Sequence, residues 1–575
     1  MPVINMDISD LEKLVGPGFD LERFSAEIPM IGASVEKIQG SEISVEFFPD
    51  RPDLFCIEGA ARSYRDLMSV KRGSHLEKFR IGGDSGIVLD VDPSLEGIRP
   101  VIGAAFITGV QIDEPTLISI MNLQEKLHIT VGRKRRKVAI GIHDADPIKP
   151  PFKFWAAKPE EVEFVPLQKE GLWNLDRILK EHEKGVDYAW VLEGYDRYPI
   201  ITDARDEVLS FPPIINGELT KVSEDTRSIF VDCTGWDLNA VSLSVNIVCS
   251  QLMERGGRLH SVKVEYPDDP YFKKMGLTTS SWPHFEWIRG ELDLEWSAGW
   301  LGISPKADEI AGALKRMGYE KISFSGNRME CLIPPWRGDI LHQADIAEDL
   351  AIGYGFQRFK GCSPATYMTG SERSITTLKR SLRESLVGLG FLEVTTISLS
   401  NEGSQFGLMD REEVEHLRIR NPTTTEHTMM RMSALPSLLG LLRSNKHRDL
   451  PQRIFEIADV MVENRNRVLI SGTVMDNKAS FTMIKGIVQK LLSDLELPYL
   501  LDKANIGCYI KGRGAGMFIE DQETGSTPFP ELRENGLIPL GHFGEAHPRM
   551  LSEMELPAPV AAFELDLDLI SKRSS

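Results

Sequence analysis

The chain has 575 residues, of which 42% are hydrophobic, so it is long enough for about three to five domains of roughly 100–200 residues each. This composition excludes a disordered or fibrous protein. The 66 lysines and arginines are outnumbered by 85 aspartates and glutamates, which gives a net charge of −19. A protein that binds nucleic acid through an overall positive charge is therefore excluded, and any polyanion must meet a local basic patch or an associated chain.

None of the six cysteines is paired at the CxxC spacing of a zinc knuckle, and their scatter does not indicate a disulfide framework. We expect reduced thiols, as in a cytoplasmic protein. The first residues, MPVINMDISDLEK, are acidic and lack the apolar core of a signal peptide. Since no apolar run reaches about 18 residues, the sequence predicts no membrane span.

Residues 1–95 are predicted to form a small mixed α/β structural domain. Apolar residues at helical spacing predict helices over residues 6–15 and 54–68. A run rich in β-branched and aromatic residues predicts a strand over residues 42–48. Two prolines between this strand and the second helix hold an extended link.

Residues 96–270 carry strand-like apolar runs and helical patterns, which predicts an α/β domain. Within it, five consecutive cations precede the strand-like run VAIGI: Arg133, Lys134, Arg135, Arg136 and Lys137. A charge run of this kind is either a solvated turn or, in so acidic a chain, a local phosphate contact. The residues alone favour neither interpretation over the other.

Two short stretches of this domain carry small polar side chains. LSFPPIIN places Ser210 before two prolines, and IFVDCTG ends with Asp232, Cys233 and Thr234. Strand ends at a cleft can bind a ligand through such groups, whereas Asp and Thr before Gly also form ordinary turns. The spacing alone favours the turn. Cys233 has no histidine nearby in sequence to activate it, so covalent thiol chemistry is not predicted.

Residues 271–362 are predicted to form a helix-turn-helix-like module, with two strands between two helices. The second helix carries Asp345, Glu348 and Asp349 at i, i+3 and i+4, and Asp339 lies just upstream. These carboxylates are either a solvated acidic face or oxygen ligands for Mg²⁺, and spacing alone favours the solvated face. A helix this acidic is a poor reader of DNA, because phosphate contact needs cations.

Residues 363–575 contain a long helical pattern over residues 374–389, followed by strand-like runs such as RIFEIADVM and VLISGTVM. Antiparallel strands with flanking helices predict an α+β domain. The loop KGRGAG lacks the Lys-Ser/Thr of a P-loop and so gives little support for a nucleotide site. The whole chain is thus predicted to be a mixed α/β and α+β protein of several domains.

Seven motifs, in order along nearly the whole chain, resemble those of phenylalanyl-tRNA synthetase beta subunits of the short archaeal and eukaryotic type. They are DRPDLFCIEGAAR, GRKRRKVAIGIHD, SFPPIIN, PPWRGDILHQADIAEDLAIGYGF, RNPTTTEHTMMRMSALPSLL, RIFEIADV and GHFGEAHP. The resemblance implies an assembly of two alpha and two beta subunits that attaches phenylalanine to tRNA(Phe). It places the synthetic site, which uses ATP, in the alpha subunit.

The resemblance also implies that residues 363–575 have a class II synthetase fold that has lost its chemistry. Such a site needs an arginine on the ATP α-phosphate just before a glutamate, and a second arginine in a Gly-rich motif. This chain has Phe455 before Glu456 and no arginine in residues 541–547. Because phosphoryl chemistry needs positioned cations, we expect this domain to be inactive and to lie at the subunit interface.

Residues 96–270 resemble the family's editing domain, which hydrolyses tyrosine wrongly attached to tRNA(Phe). Matching the motif, the resemblance implies Ser210, Asp232 and Thr234 as editing residues, acting by recognition and water positioning, and Ile201 as a pocket wall. Cys233 alternates to the other face of its strand and is expected to pack. The alternative is a non-catalytic subunit that is structural, docks tRNA and keeps a vestigial editing pocket.

The same resemblance implies that Asp339, Asp345, Glu348 and Asp349 bind a Mg²⁺ ion that is shared with the alpha subunit and has a structural role. The resemblance therefore favours a Mg²⁺ site, whereas spacing alone favours a solvated acidic face. The expected partners are therefore the alpha subunit, tRNA(Phe) and Mg²⁺. ATP is expected in the alpha subunit, and neither DNA nor a membrane is expected.

Overall fold

The computed structural model describes residues 2–69, 74–361, 363, 366–520, 527–532 and 537–573. The chain folds as two compact units, Met1–Ser363 and Pro364–Ser575. Both units combine helices with β-sheets, so the predicted mixed architecture of several domains is confirmed at that level. The first unit contains the first three predicted domains, whose limits at 95/96 and 270/271 stay predictions.

A three-stranded antiparallel sheet begins the first unit, in the order β1-β3-β2. Its strands are β1 (Val3–Asp7), β2 (Ala33–Gln39) and β3 (Glu42–Phe47), and the helices of this part are α1 (Ile8–Val15), α2 (Leu21–Glu27), α3 (Ile57–Leu67) and α4 (His75–Lys78). Alternate residues of β3, namely Ile43, Val45 and Phe47, are buried, as the period of a strand requires. The two helices and the strand that the sequence predicts here are present, with ends shifted by at most three residues.

A ten-stranded mixed sheet forms the centre of the first unit. Its strands are β4 (Ile81–Val91), β5 (Val101–Thr108), β6 (Val138–Asp144), β7 (Phe152–Ala157), β10 (Tyr198–Thr202), β11 (Val208–Phe211), β12 (Ile215–Asn216), β13 (Ser228–Gly235), β14 (Arg258–Glu265) and β15 (Ser280–Trp282), while β8 (Glu163–Phe164) and β9 (Trp173–Asn174) pair separately. The order is β12-β11-β10-β7-β4-β14-β5-β13-β6, with β15 on β14. Strands β4 and β15 lie outside residues 96–270, so this sheet extends beyond the predicted limits of that domain.

Five helices accompany the central sheet: α5 (Glu114–Ile129), α6 (Leu175–Glu181), α7 (Glu183–Tyr188), α8 (Leu238–Glu254) and α9 (Pro270–Lys274). Helix α8 packs against β5 and β13, and most of its residues are buried. The buried residues include polar ones such as Ser244, Asn246 and Gln251 and lie on most sides of the helix, so its sequence shows no narrow apolar stripe.

A three-stranded antiparallel sheet ends the first unit, in the order β16-β18-β17. Its elements are β16 (Ile288–Asp293), α10 (Leu294–Leu301), α11 (Ala307–Arg316), β17 (Glu320–Ser325), β18 (Arg328–Ile333) and α12 (Gln343–Tyr354). The predicted pair of strands between two helices is present, and β16 adds a third strand. Helix α12 begins after His342, whose ring Nδ1 accepts a hydrogen bond from the Ala344 backbone N–H.

A seven-stranded sheet organises the second unit, in the order β19-β22-β23-β27-β26-β25-β24. Its strands are β19 (Leu392–Glu393), β22 (Gln452–Val462), β23 (Arg465–Met475), β24 (Leu500–Lys503), β25 (Tyr509–Glu520), β26 (Leu537–Ala546) and β27 (Val560–Asp566), while β20 (Leu399–Ser400) and β21 (Met429–Met430) pair separately. The helices are α13 (Ser374–Gly388), α14 (Leu435–Ser444), α15 (Phe481–Asp494), α16 (Pro548–Glu553) and α17 (Leu567–Arg573). All neighbouring strands are antiparallel except β19 and β22, in agreement with the α+β prediction.

Among the described residues of either unit, no helix is both long and apolar enough to cross a membrane.

Candidate functional site

A cavity of about 300 Å³ lies in the first unit and is lined by residues of α5, α7, β6, β11 and β13. Strands β11 and β6 are near opposite ends of the sheet order, yet both line the cavity, so the central sheet curls around it. The lining includes Ser210 of β11 and both Asp232 and Thr234 of β13. Three of the four residues that the resemblance implied are thus brought together at one cavity.

The alternation of β13 separates its polar residues from its thiol. Asp232 and Thr234 face the cavity, while Cys233 packs into the hydrophobic core. Burial raises the pKa of the Cys233 thiol well above its usual range, so the nucleophilic thiolate is disfavoured. The prediction that Cys233 packs and takes no part in covalent chemistry is consistent with this geometry.

Ser210 is 2% exposed, and its Oγ has no hydrogen-bond partner among the described residues. A buried hydroxyl without a partner costs free energy, so a ligand or water in the cavity would stabilise it. Ile201, in β10, pairs directly with Ser210 but lies in the hydrophobic core and is absent from the cavity lining. Its side chain therefore supports the strand that carries Ser210.

Asp232 is hydrogen-bonded, on the side away from the cavity, to a histidine that was not predicted from the sequence. His143 of β6 contacts Asp232 Oδ2 through Nε2 at 2.7 Å and Thr220 Oγ1 through Nδ1 at 2.7 Å. His143 and Asp232 are 89 positions apart, and the pairing of β6 with β13 brings them together. The sequence indicates only that Gly141 and His143, two residues apart, lie on the same face of β6. It does not indicate which strand β6 pairs with.

Thr234 is fixed by Arg99, which is almost completely buried. Arg99 Nε donates to Thr234 Oγ1 at 2.8 Å, and its Nη2 donates to the Thr234 carbonyl at 2.7 Å. Burial lowers the pKa of Arg99 to about 9 against the opposing charge of Asp232, so the side chain remains a cation at pH 7. Because Thr234 Oγ1 accepts from Arg99, its own proton is free to be donated to another group.

The basic run divides between the cavity and solvent. Arg133, Lys134 and Arg135 all have positive φ, of 47°, 56° and 65°. Arg135 turns inward, donating to the Ile214 carbonyl at 2.8 Å and to Glu125 at 2.7 Å. Arg133, Lys134 and Arg136 are exposed. One cation therefore builds the cavity wall, and the two interpretations of the exposed three remain open.

Three of the four carboxylates of the predicted metal site accept hydrogen bonds within this chain, and the fourth, Glu348, lies near other carboxylates. Arg337 Nη2 donates to Asp339 at 2.6 Å and to Asp349 at 2.7 Å. Asp345 accepts from the backbone N–H groups of residues 341 and 342, both at 2.7 Å, at the start of α12. Burial, followed by the negative charges of Asp349 and other neighbours, raises the pKa of Glu348.

The donor chemistry of this acidic set suits a hard cation, since all its ligands are oxygens. Within the described residues, however, no three carboxylate, histidine or cysteine side chains are arranged to hold a metal ion. The described residues of this chain therefore do not form a complete Mg²⁺ site by themselves. Arg337 partly neutralises the set in this chain.

In the second unit, polar side chains at or near the class II motif positions make internal contacts. Arg453 donates to the Leu389 carbonyl at 2.8 Å, and Glu456 accepts from Arg431 at 2.8 Å. His542 of the Gly-rich motif is buried and contacts the Tyr509 hydroxyl at 2.9 Å. Neither Arg453 nor His542 lines the cavity of the first unit.

Curated relatives match the chain from end to end. The phenylalanine–tRNA ligase beta subunit of Methanothrix thermoacetophila is 37% identical over 570 residues, which cover 99% of this chain and 100% of the relative. This chain belongs to the phenylalanine–tRNA ligase beta subunit family. The beta subunit of Archaeoglobus fulgidus is 36% identical over 571 residues, covering 99% of this chain and 98% of that relative. The resemblance noted from the seven motifs is thereby confirmed.

Family models and a solved structure locate the beta-subunit features along the chain. The model described as B3/4 domain matches residues 114–264, which include the residues of the cavity. The tRNA synthetase B5 domain matches residues 291–356, with the acidic helix, and the phenylalanyl tRNA synthetase beta chain CLM domain matches residues 362–567. An N-terminal fragment of the phenylalanyl-tRNA synthetase beta subunit from Pyrococcus horikoshii is similar with a TM-score of 0.58 at 34% identity, over 62% of this chain and 100% of that fragment.

Proposed function

We propose that this chain assembles into a phenylalanine–tRNA ligase complex and that its cavity hydrolyses tyrosine from Tyr-tRNA(Phe). Membership of the beta-subunit family supports the first statement. Three polar side chains in the cavity lining, Ser210, Asp232 and Thr234, support the second. In this proposal, two alpha and two beta subunits assemble in the cytoplasm and bind tRNA(Phe), and the alpha subunit uses ATP to attach phenylalanine.

The convergence of Ser210, Asp232 and Thr234 on one cavity is the observation that carries the editing proposal. Phenylalanine and tyrosine differ by one hydroxyl, and an apolar synthetic pocket rejects an added hydroxyl by only about 10²-fold. A second site that hydrogen-bonds this hydroxyl discriminates far better, because the analogue without it leaves buried polar groups unpaired. A carboxylate such as Asp232 is an acceptor suited to a phenol.

The reaction in this pocket is ester hydrolysis. A water oxygen forms a bond to the tyrosyl carbonyl carbon, the bond to the terminal ribose oxygen breaks, and a proton passes from the water to that ribose oxygen. We assign tyrosine recognition to Asp232, with Ser210 as a second polar contact. Thr234 is assigned to hydrogen-bonding the attacking water, because Arg99 leaves the proton of the Thr234 hydroxyl free for donation. Ile201 supports the strand of Ser210 and has no chemical role.

Replacing Asp232 by alanine is expected to lower kcat/KM for Tyr-tRNA(Phe) hydrolysis by the complex by about 100-fold, because the charged acceptor of the phenol is lost. Ser210→Ala should cause a smaller loss, of about tenfold. Deacylation of preformed Tyr-tRNA(Phe) by the purified complex measures both.

Cys233→Ala is the matched control, since it changes the same strand on its core-facing side and should leave hydrolysis within a few-fold of the wild type. Phenylalanine attachment reports whether each variant assembles. If Asp232→Ala and Ser210→Ala both hydrolyse Tyr-tRNA(Phe) as fast as the wild type, the pocket is vestigial and the chain is a structural, tRNA-docking subunit.

We further propose that Asp339, Asp345, Glu348 and Asp349 contribute to a structural Mg²⁺ site that the alpha subunit completes. Support comes from the oxygen-only donor set, which suits a hard cation. The second unit is proposed to be inactive in synthesis and to pack against the alpha subunit. Phe455 at the position of the first motif arginine and the absence of arginine from residues 541–547 support this assignment.

Glu348→Gln is expected to remove most of the Mg²⁺-dependent stabilisation of the complex. Bound Mg²⁺ stabilises the wild type by about 2.7 kcal/mol at a concentration 100 times the Kd. Thermal unfolding of the complex with Mg²⁺ and with a chelator measures this increment. The exposed Glu330 of β18 offers a matched control, since Glu330→Gln should keep the full increment. An equal Mg²⁺ increment in Glu348→Gln and the wild type would contradict the site.

A further inference from the structure

His143 is a buried titratable side chain that the proposed reaction does not use. It is 0% exposed, and both of its ring nitrogens have partners, Asp232 Oδ2 and Thr220 Oγ1. It is not among the residues that line the cavity, whereas Asp232 and Thr220 are. A histidine engaged at both nitrogens behind the cavity wall has no free nitrogen to activate water in the cavity.

The direction of the hydrogen bond between His143 and Asp232 follows from the chemistry of the two groups. An ionised carboxylate only accepts, so His143 Nε2 carries the proton and donates it to Asp232 Oδ2. The Nδ1 side is bounded by Thr220 Oγ1, which also lies 3.3 Å from the Gly217 carbonyl. The Thr220 hydroxyl can either donate to Nδ1 or accept from it. In both cases Nε2 donates to Asp232.

This bond leaves the two oxygens of Asp232 in different states. Among the described residues, Oδ2 has His143 as its hydrogen-bond partner, and Oδ1 is left for a ligand in the cavity. A carboxylate anchored by one oxygen cannot rotate freely, so its other oxygen is held in one direction. Holding an acceptor in place before the ligand arrives is what preorganised recognition requires.

We propose that His143, backed by Thr220, is a positioning residue that fixes Asp232 to accept the tyrosine hydroxyl and so sets the preference for tyrosine over phenylalanine in hydrolysis. This inference rests on the proposed editing function. His143 acts through Asp232 and makes no contact with the substrate. Loss of its N–H should therefore reduce selectivity and leave the slow hydrolysis of Phe-tRNA(Phe) unchanged.

The test compares two replacements of His143 in the complex. His143→Leu removes the donor at similar volume, whereas His143→Gln keeps an N–H that can reach Asp232. We expect His143→Leu to lower the ratio of kcat/KM for Tyr-tRNA(Phe) over Phe-tRNA(Phe) hydrolysis by about 10- to 100-fold, mainly through KM for the tyrosyl substrate. His143→Gln should restore most of the ratio, which a purely structural role would not require. In an Asp232→Ala background, which has no acceptor for His143 Nε2, His143→Leu should cause little further loss.

The outcomes separate this inference from the function on which it rests. If His143→Leu keeps the wild-type ratio while Asp232→Ala loses it, the positioning role is wrong and the editing site stands. If Asp232→Ala also keeps the ratio, the editing site itself is wrong. Should His143→Leu fail to assemble, Thr220→Val decides, since it removes the contact at Nδ1 with little change of shape. A loss of about three- to tenfold in the ratio for Thr220→Val supports the inference, and an unchanged ratio overturns it.

Discussion

A complex carrying Gly141→Ala is expected to hydrolyse Tyr-tRNA(Phe) at least about 100-fold more slowly than the wild type. Gly141 of β6 pairs directly with Asp232 of β13. A Cβ at residue 141 would lie 2.1 Å from Asp232 Oδ2 and 2.6 Å from His143 Nε2, so the carboxylate and the ring could not keep their contact. A misplacement of about 1 Å at such a group costs on the order of 10²-fold in rate.

Gly299→Ala is the matched control for this variant. It lies in α10 of the same unit, and a Cβ there meets nothing within 4 Å. Deacylation of Tyr-tRNA(Phe), with phenylalanine attachment as the check of assembly, measures both variants. Full hydrolysis by Gly141→Ala would mean that the Asp232 carboxylate need not occupy its observed position for editing.

Glu254→Gln is expected to lower the free energy of unfolding of the first unit by about 3–5 kcal/mol. The Glu254 side chain is 1% exposed and lies 2.8 Å from Arg65 Nη2 and 2.6 Å from Lys78 Nζ. Arg62 also approaches it at 3.9 Å. This carboxylate joins the end of α8 to α3 and α4. Without its charge, buried cations lose the anion that compensates them.

The Glu254 carboxyl is also expected to make the free energy of unfolding depend on pH. Burial by itself raises the pKa of Glu254, but Arg65, Lys78 and Arg62 outweigh it and bring the pKa to about 2 from a usual 4.5. A depressed carboxyl pKa contributes stability that is complete above pH 4.5 and is lost as the pH falls towards 2. The shift corresponds to about 3 kcal/mol.

Chemical unfolding of wild type and Glu254→Gln between pH 7 and pH 3 measures both effects. The wild type should lose stability more steeply than the variant below pH 4.5. Glu181→Gln is the control, because Glu181 pairs with Arg177 on an exposed helix surface, where such pairs contribute about 0.3–0.5 kcal/mol. Parallel pH curves for the wild type and Glu254→Gln would contradict the assigned pKa.

Local pattern was sufficient for the parts of the site that lie on one element. The two-residue period of β13 placed Asp232 and Thr234 on one face and Cys233 on the other, and the structure agrees. The helical spacing of the acidic residues was likewise correct for α12. Each of these features depends on the dihedral angles of a single segment, which a short run of sequence determines.

Features that depend on how distant segments pair were not predictable in this way. His143 and Arg99 reach Asp232 and Thr234 through the pairing of β6 and β5 with β13, and no pattern within a strand specifies its neighbour or register. The curl that brings β11 to the cavity is set by the whole sheet. Similarly, the sequence did not indicate that one arginine, Arg337, would lie between two of the predicted metal ligands.

The pocket of this chain is proposed to recognise the tyrosine hydroxyl and to hydrolyse the ester. The most direct measurement is the ratio of kcat/KM for Tyr-tRNA(Phe) over Phe-tRNA(Phe) hydrolysis, compared between the wild-type complex and the Asp232→Ala complex. A pocket of this kind predicts a wild-type ratio of about 10² or more and a ratio near one for Asp232→Ala. Equal hydrolysis of the two substrates by the wild type, or the same ratio in both complexes, would contradict it.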